Sequence, residues 1–146
     1  MQRHEIAVNE FLEGYRCSQA VLGVYARDAG LDPEMARKMA LALAGGSGVG
    51  GECGAVAAAY IVLGMKYGFT HPGDPERLDA VMGKIRTFVD RFKALHGDID
   101  CPKLIGLDVF SEQGRRAFAA NNIKADVCTR YVSDAVKIIE EMLVEA

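Results

Sequence analysis

The chain has 146 residues, of which 50% are hydrophobic and 25% charged, with a formal net charge of −3 and an isoelectric point near 5.6. That length fits a single domain over residues 1–146, large enough to bury a core without staples. The acidic balance argues against a nucleic-acid-binding surface, and the longest apolar run, Ala55 to Met65, is too short to span a bilayer.

The pattern is helical from end to end. Ile6, Phe11 and Leu12 form the apolar side of a short first helix broken near Gly14. A second helix carries Ala20, Val21, Val24 and Tyr25 and ends before Gly30. Asp32-Pro33-Glu34 reads as an N-cap with proline in the first turn, opening a helix to Ala44. Gly45 to Gly51 is glycine-rich and must be loop. Gly54 to Tyr67 is apolar nearly all round, which predicts a buried central helix. After the turn-rich Thr70 to Pro75, a long helix repeats Leu78, Val81, Met82, Ile85, Phe88, Phe92 and Leu95 on one side, and Gly97 closes it. That stripe suits either the core or an interface. A short helix starts at Cys101 and ends at Gly106, another runs from Ser111 to Ala120, and a last one repeats Val127, Tyr131, Ala135, Ile138, Ile139 and Met142. No segment alternates as a strand does. The expected fold is a compact all-α, single-domain bundle of five to seven helices.

Four cysteines stand apart, at Cys17, Cys53, Cys101 and Cys128. The gaps of 36, 48 and 27 residues rule out any local CxxC pair. Each falls where a helix is expected to begin, Cys128 with Asp126 as its N-cap. Helix N-termini carry unpaired N–H groups and partial positive charge, which favour the thiolate. A lone cysteine is most often an inert buried side chain. Four of them at helix starts point instead to thiol redox chemistry or a thiolate-ligated metal site. Met1 to Glu5 leads into an amphipathic segment rather than an apolar signal core, so the protein is expected to be cytoplasmic, with reduced cysteines.

Gly46 to Gly51 matches GxGxxG, but a helix precedes it where a strand is required, and Glu52 stands where a P-loop needs lysine. The glycines read instead as a place where backbone passes close to whatever Cys53 touches. Gly50, Gly51 and Gly54 are the candidates for contact with a cofactor. His4, His71 and His96 are scattered and read as surface or capping residues. Met35, Met39, Met65 and Met82 fall on apolar faces and read as core.

Several stretches together resemble the C_GCAxxG_C_C family of redox-active proteins, and the resemblance covers nearly the whole chain. They are Cys17-Ser18-Gln19-Ala20-Val21-Leu22, Glu52-Cys53-Gly54-Ala55-Val56, Leu63-Gly64-Met65-Lys66-Tyr67-Gly68, Phe92 to Gly97 ahead of Cys101, and Cys128 ahead of Tyr131-Val132-Ser133-Asp134-Ala135. Gly54 separates Cys53 from Ala55, Ala58 replaces the motif's last glycine, and Arg16 replaces an asparagine before the first cysteine. The resemblance implies a small prokaryotic helical protein with its cysteines gathered at one site. It hints at an iron–sulfur role, through similar segments in multi-domain electron-transfer proteins.

Two readings follow. In the first, Cys17, Cys53, Cys101 and Cys128 meet at converging helix N-termini. There they ligate an iron–sulfur cluster for electron transfer or work as dithiol/disulfide pairs, with no other cofactor in the second case. Whether such a protein is an oxidoreductase or only a carrier stays open, as does its redox partner. Structural zinc fits less well, since such sites usually use paired knuckles. In the second reading the cysteines are buried filler in a non-enzymatic helical interaction module that binds a partner or forms a homodimer.

Overall fold

The computed structural model describes residues 1–145. It is all-α, with eight α-helices among the described residues: α1 (Arg3–Glu13), α2 (Cys17–Gly23), α3 (Pro33–Leu41), α4 (Gly54–Tyr67), α5 (Pro75–His96), α6 (Cys101–Ile105), α7 (Glu112–Ala120) and α8 (Thr129–Glu145). The expected count of five to seven was too low because the short helices are separate elements. α6 is little more than one turn, started by Pro102 and stopped by Gly106 in the left-handed conformation at φ 75°. No helix among the described residues is long and apolar enough to cross a membrane.

Side-chain caps fix the starts of α3, α5 and α7. The Asp32 carboxylate accepts the Met35 N–H at 3.0 Å, Asp74 accepts that of Arg77 at 3.0 Å, and the Ser111 hydroxyl accepts that of Gly114 at 2.9 Å. Two helices stop earlier than their periodicity suggests. α2 gives way after Gly23 to tight turns, with Tyr25 N–H bonded to Leu22 O and Ala26 N–H to Gly23 O. α3 tightens in the same way at Leu43, whose N–H reaches Ala40 O.

α4 is the central element, as its composition predicts, and buries Ala55, Val56, Ala58, Ala59, Val62 and Leu63. α2 and α8 pack against it, α1 lies on α8 and α3 on α2. The alanines of α4 let these neighbours approach closely. On α1 the buried pair is Ala7 and Phe11, while Ile6 and Leu12 flank it on the solvent side.

The stripe on α5 is divided. Phe88 and Phe92 are fully buried against α4 and α8, but Leu78, Met82 and Leu95 are exposed. Met35 and Met39 are also exposed, contrary to the core role expected of them, since α3 presents Ala36 and Ala40 to α2.

Candidate functional site

Each cysteine is held by a different device. Cys17 is the first residue of α2, whose start is fixed by the Arg16 N–H donating to Gln19 Oε1 at 2.9 Å. The buried Ser18 hydroxyl donates to Ala40 O at 2.6 Å and docks that turn on α3. Cys53 is the N-cap of α4 and Cys101 the first residue of α6. These two are tied together by an isolated antiparallel bridge between Glu52 and Asp100. Cys53 N–H donates to Ile99 O at 2.7 Å and Cys101 N–H to Gly51 O at 2.9 Å. Alternation along the bridge puts Cys53 and Cys101 on one face and Glu52 on the other, where it meets Tyr60.

Cys128 corrects the expectation of four helix N-termini. Asp126 is not a cap. The break lies upstream, at Asn121 and at Asn122 with its left-handed φ of 51°. The chain is helical again from Ile123, and Lys124–Cys128 forms a wide π-turn that runs directly into α8. Cys128 therefore sits inside a helical segment, with no free N–H groups around it.

All four side chains reach one cavity of about 670 Å³. Cys53 is buried, and Cys17, Cys101 and Cys128 are part-buried, all four as free thiols. Gly54 also lines the cavity, because only a glycine fits there: a Cβ would lie 2.6 Å from Cys17 Sγ and 3.0 Å from Leu43 O. Gly50 and Gly51, expected beside it, stand behind the wall. The Gly51 carbonyl holds Cys101, and Gly50 lies against Pro102. Gly45, Ser47 and Gly48 take their place on the surface of the cavity.

Burial raises every one of the thiol pKa values. Cys101 is pushed up to about 11 and Cys128 to about 12, each by desolvation and then by the neighbouring Cys17 charge. Cys53 rises well above the usual range from the same two causes, and Cys17 rises through desolvation alone. Backbone N–H groups oppose this at Cys17, where those of Gly45, Ser18, Ala55 and Cys17 itself favour the thiolate, and at Cys53, where those of Ala55 and Val56 do. The starts of α2 and α4 thus converge on the Cys17 sulfur. Their effect is smaller than the cost of desolvation, so the thiols lie above the ordinary range despite the helix starts.

Sequence reasoning missed much of the wall. Tyr131 lines the cavity and donates its hydroxyl to Leu104 O at 2.8 Å, joining α8 to α6. Its spacing from Cys128 was the available signal. His96, expected at the surface, packs edge-on against Tyr131 and bonds Asp134 Oδ2 at 2.9 Å. Arg16, at the start of α2, and Phe110, Arg115 and Phe118, from α7 and the loop before it, complete the opening of the cavity.

Among the described residues, no three His, Cys, Asp or Glu side chains are gathered tightly enough to hold a single metal ion. The thiols stand around a space. The N–H groups at Cys17 are donors suited to a buried anionic sulfur.

Residues 15–142 match the family model described as "Putative redox-active protein (C_GCAxxG_C_C)". The chain belongs to that family. No curated protein and no solved structure matches it.

Proposed function

We propose that this member of a redox-active family is an electron-transfer protein whose Cys17, Cys53, Cys101 and Cys128 hold an iron–sulfur cluster in the cavity. One observation carries the reading: four free thiols from four separate elements line one cavity. A buried thiolate next to other thiolates is costly, and cationic iron removes that cost. Such a cluster would supply one-electron chemistry. The chain's part is to position the sulfurs, direct backbone N–H groups at Cys17 and exclude water with apolar walls. Raised thiol pKa values count against disulfide exchange, which begins from a thiolate.

Anaerobic purification followed by iron, acid-labile sulfide and thiol analysis tests this. The expected result is iron and sulfide in comparable amounts, with visible absorbance that bleaches on reduction. Absence of iron, with a thiol count falling by two on mild oxidation, would replace it with dithiol exchange. Absence of both would leave a helical interaction module.

A further inference from the structure

The cavity is larger and more varied than four sulfurs require. Its volume of about 670 Å³ lies in the range of small-molecule sites, which are mostly apolar with a few placed polar groups. Its depth is graded. Cys53 is buried at one extreme, while Arg16, Arg115, Phe110 and Leu41 are exposed and form the rim.

The wall holds two arginines and no carboxylate, in a chain whose net charge is −3. Among the described residues neither arginine is in a salt bridge, a state shared with Arg27 and Arg130, whereas Arg3, Arg37, Arg77, Arg86, Arg91 and Arg116 are. Neither acts on Cys101 or Cys128; the cation that does is Lys124, beside Cys128. The arginine charges are therefore left over by the thiol site.

The aromatic part of the rim is braced. The Phe110 ring lies against Gly45, leaving no room for a Cβ there. Phe110 N–H donates to Asp108 Oδ1 at 2.9 Å, and the Phe110 carbonyl accepts from Arg115 Nη1 at 2.9 Å. Phe110 is nonetheless 48% exposed. A large aromatic side chain at an opening, beside guanidinium groups that have no carboxylate partner, is arranged to meet a flat apolar body that carries negative charge.

We propose that the mouth of this cavity is a binding site for a small aromatic anion, such as a sulfonated or carboxylated quinone. Arg16 and Arg115 take the anionic group, and Phe110 and Phe118 take the ring. The inference rests on the cluster reading only for its purpose, as the place where an electron-exchanging small molecule stands beside the thiols.

The test is calorimetric titration of the full-length protein with anthraquinone-2-sulfonate, with iron measured in the same samples. The expected result is saturable binding that weakens with salt and falls at least tenfold in the R16Q/R115Q double variant. R115K, which keeps the charge, should retain binding, and neutral 2-(hydroxymethyl)anthraquinone should bind at least tenfold more weakly. Undetectable binding, equal affinity for the charged and neutral quinones, or wild-type affinity in the double variant would overturn the proposal, whatever the iron content. Missing iron with intact anion binding would instead remove the cluster reading and leave this site standing.

Discussion

Gly54 is packed directly on the sulfur of Cys17. A Cβ at Gly54 would come within 2.6 Å of Cys17 Sγ, with Leu43 O and Ala44 Cα immediately behind it. Neither backbone atom can give way as a flexible side chain would. Gly54→Ala should therefore cost about 1–3 kcal/mol through overpacking and should spread the starts of α2 and α4. Thermal denaturation and iron content of the anaerobically purified variant check this. Unchanged values in both would mean that the contact has no influence on the cavity.

Cys53→Ser should abolish iron uptake while leaving the helical circular dichroism close to wild type. Serine is similar in size, and the N–H···O bond to Ile99 that places residue 53 comes from the main chain. Wild-type iron content in a folded C53S protein would show that the cavity is not organised around this residue.

Metal-free, reduced protein should be a poor thiol nucleophile at neutral pH. With Cys101 pushed up to about 11 and Cys128 to about 12, little thiolate exists at neutral pH. Alkylation by iodoacetamide should be on the order of a hundredfold slower at Cys101 and on the order of a thousandfold slower at Cys128 than for an unperturbed cysteine. The rate at Cys101 should keep climbing to about pH 11. A plateau there below about pH 9, close to the ordinary thiol range, would mean that burial does not hold the proton on Cys101.

The same shifts make stability fall at alkaline pH. The folded state holds these protons above the pH at which the unfolded chain loses them. Their contribution is fully present below about pH 8.5 and is lost as pH rises through the folded values of about 11 and 12. Tyr25 and Tyr60 act in the same direction, but from higher pH. Melting curves of reduced, metal-free protein should show the decline beginning between about pH 8.5 and 10, and a variant with all four cysteines replaced by serine should lack that early part.

Tyr131→Phe removes the hydroxyl that reaches Leu104 O at 2.8 Å and leaves the ring in place against His96 and Phe92. It should cost about 1 kcal/mol, seen as a melting temperature lower by about 2–4 °C. α6 should exchange its amide hydrogens faster, because its other ties are the short bridge and the loop before α4.

Much of this architecture was legible because helix boundaries are local chemistry. Asp32, Asp74 and Ser111 each cap the helix that follows them, and Pro33, Pro75 and Pro102 stand in first turns. The all-apolar composition of α4 named the centre, and the four cysteines named one wall. The remainder depends on what packs against what. Asp126 looks like a cap, but Asn122 upstream takes the left-handed turn, and nothing in the intervening residues stops a helix. The α5 stripe is continuous in sequence and covered only where α4 and α8 reach it. The sign of the thiol shifts followed from a contest between N–H groups and burial, and burial is a property of the assembled cavity. Arg16 and Arg115 join through folding alone, since one precedes α2 and the other lies in α7.

The π-turn at Lys124–Cys128 holds one more residue per turn than the α-helix that continues from it. α8 cannot adjust to this by rotating, because Val132, Ala135, Val136, Ile139 and Met142 fix its face against the core. Everything before this turn therefore takes up the difference. Losing one residue between Lys124 and Asp126 would restore ordinary helical pitch and turn the preceding segment by about 100° relative to α8. Chain length in this short stretch thus acts as a setting for what precedes the fourth thiol, separable from the folding of the bundle: a single-residue deletion there should leave Cys128 in register with α8 and turn α7, with Arg115 and Phe118, relative to the cavity.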